Sequence, residues 1–136
     1  MIRDKRCVET LEKIQSILSD LNTTTDLIIV EGIRDVKAIR ELGYLGRIDI
    51  ISHSNVSLPN LAINISETSN KVLVLTDFDE SGMKQAHRLT SLLEGIGVKV
   101  DKEKRRILGK YFRVTGANTI ESIDNIFQSF ESRESL

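Results

Sequence analysis

The sequence predicts an α/β fold in which a mainly parallel sheet of four to five strands carries helices on both faces. Short apolar runs alternate along the chain with segments of helical periodicity. The apolar runs are continuous and rich in β-branched residues, as expected for strands that are buried on both sides. With 136 residues, 4% aromatic residues and no Trp, the chain must build its core mainly from Ile, Leu and Val.

Apolar runs place the strands at 27–30, 48–51, 71–75 and 98–100, with a fifth, edge strand expected at 111–114. Apolar spacing of three and four residues predicts helices at 4–21, 34–42, 81–94 and 101–108, and Ser57 with Pro59 opens a short one through residue 65. The helix at 81–94 is expected to bury Met83 with Ala86, Leu89 and Leu93. Asn118 is the expected N-cap of a C-terminal helix.

These elements suit a single domain over residues 1–136. Its core is expected at about 26–100, preceded by the N-terminal helix at 4–21. A basic segment and a helix follow at 101–131.

Composition excludes several classes of protein. Cys7 is the only cysteine, so neither an intrachain disulfide framework nor a cluster of thiolate metal ligands can form. No apolar run approaches the roughly 20 residues that span a bilayer, and no apolar stretch follows the charged N-terminus as in a signal peptide. We therefore expect a cytoplasmic protein with no membrane partner. A formal net charge of −1 gives no global sign of nucleic-acid binding, which must come from local patches.

Acidic residues follow two of the predicted strands. Glu31 comes directly after the first strand, and Asp77 and Asp79 follow the third. Ligands of open parallel sheets bind beyond the carboxyl ends of the strands, so these three side chains are candidates for one site. Carboxylates alone, without His or Cys nearby, suit Mg²⁺ or Mn²⁺ rather than zinc.

Two glycines accompany the acids. Gly32 and Gly82 would let a phosphate or a backbone approach closely, and a helix N-terminus favours anions. A purely structural alternative is that Asp77 and Asp79 form a solvated loop that caps the next helix. That alternative does not account for Glu31, or for Asp35 four residues after it, at the end of another buried strand.

Residues 30–35, Val-Glu-Gly-Ile-Arg-Asp, and 75–82, Leu-Thr-Asp-Phe-Asp-Glu-Ser-Gly, resemble the two signature motifs of the Toprim family. The resemblance implies the Rossmann-like Toprim fold and magnesium-dependent phosphodiester chemistry. It implies that Glu31 is the general acid and base, that Asp77 and Asp79 hold Mg²⁺, and that Asp35 supports the first strand–helix turn. The chain most resembles the small stand-alone archaeal Toprim proteins, which look like the 5S ribosomal RNA maturation nuclease reduced to its core.

Basic residues provide candidate contacts to a nucleic-acid backbone. Each of them has an ordinary surface role as its alternative. The candidates are Arg34, Lys37, His53, Lys104, Arg105 and Arg106.

The leading interpretation is a magnesium-dependent nuclease that processes RNA, in the manner of ribosomal RNA maturation. RNA is favoured over DNA as the nucleic acid that it binds. A non-catalytic module that binds RNA or a nucleoprotein is the alternative, and a homodimer or a ribonucleoprotein partner is left open. A receiver-like signalling domain is a third hypothesis. Receivers carry their acidic pair after the first strand, whereas here the pair follows the third.

Overall fold

The structure is a computed structural model, and it describes residues 2–52 and 55–134. Within those residues the chain forms six helices and four strands, which confirms the predicted α/β class. In chain order they are α1 (Ile2–Thr24), β1 (Leu27–Val30), α2 (Ile33–Glu41), β2 (Ile48–Ile50), α3 (Leu58–Thr68), β3 (Lys71–Val74), α4 (Glu80–Gly95), β4 (Lys99–Val100), α5 (Lys102–Thr115) and α6 (Ile120–Glu134).

The four strands make one sheet in the order β2-β1-β3-β4, and every neighbouring pair is parallel. β1 therefore lies in the middle, with Ile28 opposite both Ile48 of β2 and Leu73 of β3. The chain leaves β1 toward β2 and then crosses to the other side of β1 to form β3. The carboxyl ends of β1 and β3 thus border the crevice at which ligands of such sheets bind.

Alternate residues of each strand face opposite layers of helices. Ile28 and Val30 of β1 pack with α1, α2, α5 and α6. Leu27 and Ile29 pack with α3 and α4 on the other face. Both faces of the sheet are covered, as the continuous apolar strands require.

The predicted fifth strand at 111–114 is wrong, because these residues continue α5. Leu108, Phe112 and Thr115 recur at helical spacing and are buried. Gly109 lies inside this helix, and the Phe78 ring packs against it, where an added Cβ would lie 2.7 Å from Phe78 Cε1.

Two smaller expectations are also corrected. Met83, expected in the core, is 51% exposed on the first turn of α4. The cap of α6 is Thr119 rather than Asn118, since Thr119 Oγ1 accepts a hydrogen bond from Ser122 N at 3.1 Å. In the ranges 2–52 and 55–134, no helix is both long and apolar enough to cross a membrane.

Candidate metal and nucleic-acid site

The two acidic segments meet where β1 and β3 end. Glu31 Oε1 accepts a hydrogen bond from the backbone N–H of Asp77 at 3.3 Å, although the residues are 46 apart in sequence. This contact arises because β1 and β3 are parallel neighbours, so the segments that follow them leave the sheet at the same edge.

Close packing of these acids disfavours their full ionisation. Burial raises the pKa of Glu31, and the charges of Asp77, Asp79 and Asp35 raise it further. Burial is likewise the main cause of the raised pKa of Asp77. The hydrogen bond from the Ile120 N–H acts in the other direction and lowers that pKa. Carboxylates packed this closely repel one another, and a proton or a bound cation relieves the repulsion.

Asp79 starts α4 and accepts a hydrogen bond from Gly82 N at 2.7 Å as the N-cap. Gly82 itself lies against the end of β3. A Cβ added there would be 2.1 Å from the Asp77 carbonyl oxygen. Thr76, fully buried, donates from its hydroxyl to the Gly82 carbonyl at 2.6 Å. Of the two expected uses of Gly82, close approach of a backbone is the one observed.

The first motif is organised around Asp35, which is 9% exposed. Its Oδ2 accepts a hydrogen bond from Gly32 N at 3.1 Å and so closes the turn that starts α2. Burial raises the pKa of Asp35, and the charges of Asp77 and Glu121 add to the increase. Gly32 has an extended backbone, and a Cβ there would make only an ordinary contact of 3.7 Å with Ser52 Oγ.

The C-terminal helices hold the second motif in place. Asp77 Oδ1 accepts a hydrogen bond from Ile120 N at 3.1 Å, and Phe78 N donates to Asn118 O at 2.6 Å. The Arg105 guanidinium donates to the Val74, Thr76 and Asp77 carbonyls. These contacts connect α5 and α6 to the acidic edge.

The donor chemistry of the edge fits a hard divalent cation. Glu31 and Asp77 offer carboxylate oxygens, with Glu31 Oε1 3.3 Å from the backbone N of Asp77, and Asp79 lies two residues further on. In the part of the chain that the structure describes, no three acidic, His or Cys side chains stand together in a metal-binding arrangement. Glu31 and Asp77 are therefore the two candidate ligands in contact, while Asp79 caps α4.

The candidate basic residues are placed differently from one another. Arg34 and Lys37 are exposed on α2, where each lies 3.9 Å from an acid, Glu121 and Glu41 respectively. On α5, Lys104 and Arg105 are half-buried and Arg106 is exposed. Arg105 and Arg106 line a surface groove, and Lys104 does not. The prediction for His53 falls outside the described residues.

Several residues of this edge were not identified from sequence. Ile120 and Asn118 contribute only backbone atoms, which leave no sequence signal. Phe78 forms an edge-to-face pair with Phe112, with ring centroids 5.0 Å apart. The position of Phe78 between two candidate ligands, and a glycine inside the α5 helix, are signals that could have found this contact.

Comparison with known proteins gives a consistent result. The family model of the Toprim domain matches residues 25–102. A UPF0292 protein of Pyrococcus furiosus is 39% identical over 92% of this chain and 92% of the relative. One of Methanosarcina barkeri is 30% identical over 90% and 82%. A solved structure from Aquifex aeolicus has the same fold, with a TM-score of 0.64 and 22% identity over 85% of this chain and 95% of that one.

Proposed function

The chain belongs to the Toprim family, within which it groups with the archaeal UPF0292 proteins, and from this premise we propose that it is a magnesium-dependent nuclease that processes RNA. Family membership indicates a metal-dependent function related to nucleic acid. The reaction that we propose for this chain is hydrolysis of an RNA phosphodiester, in a step such as ribosomal RNA maturation. The observation that supports it is the contact between Glu31 and Asp77 at the junction of β1 and β3.

Glu31, Asp77 and Asp79 would hold the metal ion. Mg²⁺ bound there would lower the pKa of a bound water and stabilise charge on the phosphate. Glu31 is the residue suited to proton transfer, since burial and the neighbouring charges raise its pKa above its ordinary value. While Oε1 accepts from the Asp77 N–H, the Glu31 carboxylate would take a proton from water and return it to the leaving oxygen. The water oxygen forms the new bond to phosphorus as the bond to the leaving oxygen breaks.

A second candidate function is a non-catalytic module that binds RNA or a ribonucleoprotein. The favouring observation is that every acid of the edge also has a structural partner. Asp35 bonds Gly32 N, Asp77 bonds Ile120 N and Asp79 bonds Gly82 N. Because folding alone could require such carboxylates, a cleavage assay is needed to distinguish the two functions.

The experiment is incubation of the protein with total RNA in Mg²⁺, in Mn²⁺ and in EDTA, followed by mapping of new ends. The variant is Asp77→Asn with Asp79→Asn, which keeps an acceptor oxygen for Ile120 N and an Asn cap for α4. We expect metal-dependent cleavage by the wild type and its loss in the variant.

The control is Glu12→Gln with Asp20→Asn, two exposed acids on α1. The control also removes two negative charges, but from residues outside both motifs. Circular dichroism checks the fold of both variants. Full cleavage by the Asp77/Asp79 variant would refute the proposal. RNA binding without cleavage in either metal would favour the binding module.

A further inference from the structure

A groove of about 870 Å³ lies directly beside the acidic edge. One wall is the outer side of α5, and the other includes Phe78 and Met83. The turn between α5 and α6 also contributes to the lining. The lining residues are Phe78, Met83, Lys102, Arg105, Arg106, Gly109, Lys110, Arg113, Gly116, Ala117 and Asn118.

The groove is strongly basic in a chain of net charge −1. Its lining includes five cations and no Asp or Glu. Lys102, Arg106, Lys110 and Arg113 follow one another at steps of four, four and three, so they share one side of α5. The buried residues of α5, Leu108, Phe112 and Thr115, are different ones, so core packing does not explain this stripe.

The cations of the stripe differ in how firmly they are engaged. Lys102 pairs with Glu94 at 2.9 Å, and Arg106 pairs with Glu103 at 2.5 Å. Lys110 and Arg113 are exposed and form no ion pair with any side chain in 5–52 or 55–131. A row of cations that leaves two charges uncompensated is complementary to a polyanion.

The position of Phe78 connects the groove with the acidic edge. Phe78 lines the groove and stands between Asp77 and Asp79 in the chain. A phosphate backbone that lies along α5 would therefore come close to the candidate metal ligands where it passes Phe78. The volume of the groove is that of a small-ligand cleft, which suits a short stretch of one strand rather than a duplex.

We propose that the groove along α5 binds a single strand of RNA through its phosphates and leads it to the Glu31–Asp77 edge. The choice of RNA rests on the proposed function. Lys102, Arg106, Lys110 and Arg113 make the contacts to the backbone. Asn118, exposed on the turn between α5 and α6, supplies an amide that can bond a 2′-hydroxyl. Arg105 lines the same groove, but its guanidinium is bonded to the carbonyls at the end of β3.

The test measures binding rather than cleavage, by fluorescence anisotropy of a labelled single-stranded oligouridylate in EDTA over a range of salt concentrations. The variant is Lys110→Gln with Arg113→Gln. We expect the slope of log K against log salt to fall in magnitude by about 1.4, or about 0.7 for each lost phosphate contact on a single strand. Affinity at low salt should fall several-fold.

The matched control is Arg88→Gln with Lys99→Gln, which removes two exposed cations that do not line the groove. Its salt slope should be that of the wild type. An unchanged slope in the Lys110/Arg113 variant, or an equal change in the control, would overturn the proposal. So would equal or tighter binding of a duplex RNA or of single-stranded DNA.

The same assay separates this proposal from the nuclease proposal. Asp77→Asn with Asp79→Asn should bind the oligouridylate at least as well as the wild type, because it removes negative charge beside the groove. If that variant still cleaves RNA, the nuclease assignment fails while the groove is untouched. If the Asp77/Asp79 variant loses cleavage but the Lys110/Arg113 variant binds RNA as the wild type does, the nuclease proposal stands and the groove proposal fails.

Discussion

Arg105 donates a hydrogen bond to the main-chain oxygen of Asp77 at 3.3 Å, and so places a positive charge under the acidic edge. The same guanidinium reaches the carbonyls of Thr76 at 2.9 Å and Val74 at 3.2 Å, and lies over the Phe78 ring at 4.5 Å. Burial lowers the pKa of Arg105 to about 10, while the charges of Glu31 and Asp77 oppose the decrease. The group therefore stays charged at neutral pH.

Removal of this guanidinium should destabilise the fold. In Arg105→Gln the carbonyls at the end of β3 lose their donor, at a cost of about 1–3 kcal/mol in the free energy of unfolding. Arg105→Lys should not restore stability, because an ammonium cannot reproduce the planar fork that spans several carbonyls. Urea denaturation measures both. Arg106→Gln, which removes an exposed cation, should stay within about 0.5 kcal/mol of the wild type. Equal stability of Arg105→Lys and the wild type would contradict this account.

Gly82 should tolerate no side chain. In Gly82→Ala the new Cβ meets the Asp77 carbonyl oxygen at 2.1 Å, which is backbone that cannot swing away. We expect a loss of about 2 kcal/mol or more and a displaced start of α4. Gly95→Ala is the control in the last turn of the same helix, where a Cβ meets nothing within 4 Å. That change should be neutral or stabilising by up to about 1 kcal/mol. Similar destabilisation of both variants would count against the close approach.

Magnesium should stabilise the wild type in thermal unfolding, because an ion bound only to the folded state adds to its stability. At a concentration about a hundredfold above Kd the gain is about 2.7 kcal/mol. Glu31→Gln should lose most of this gain. It should also be at least as stable as the wild type in EDTA, since ionised Glu31 is disfavoured beside Asp77. Sodium chloride at equal ionic strength is the control. An equal gain in both proteins would show that Glu31 is not a ligand.

A second acidic contact makes stability depend on pH. Asp124 of α6 is 8% exposed and faces Glu41 and Lys37 of α2, with Gln128 beside it on α6. Burial, followed by the hydrogen bond with Glu41, raises the pKa of Asp124 from 3.8 to about 6. The folded state therefore keeps a proton that the unfolded state releases, and this contribution to stability falls as pH rises from about 4 to about 6.

Asp124→Asn should remove that dependence. At pH 7 the variant should be more stable than the wild type, since it has no charge to bury and keeps an oxygen for the 3.3 Å bond from Gln128 Nε2. The difference should shrink as pH falls toward 4. Urea denaturation at several pH values measures it, and a difference that is constant across this range would refute the assignment.

Sequence patterns predicted the four observed strands because each depends on local features. Continuous apolar runs indicate strands buried on both faces, and all four were found close to their expected positions. The pattern failed at 111–114, where a short apolar run next to a glycine suits either a strand or a helix. The decisive contact there is the Phe78 ring against Gly109, between residues 31 apart in sequence.

The acidic edge was predictable in composition but not in detail. Glu31 and Asp77 follow strands, and parallel strands bring their carboxyl ends to one edge. That Asp77 bonds the backbone of Ile120, 43 residues away, could not be read from side-chain types. The internal role of Arg105 was also hidden, since sequence gives the same basic character to a buried guanidinium and to one that faces solvent.

The sequence by itself determined the α/β class, the positions of the strands and the acids that follow β1 and β3, because these depend on residues near one another in the chain. Only the tertiary structure decided that β1 lies beside β3, that α5 and α6 hold the second motif, and that the basic stripe of α5 borders it. The physical reason is that these relationships arise from packing and hydrogen bonds between distant segments. Such contacts exist only after the sheet has formed and its helices have docked.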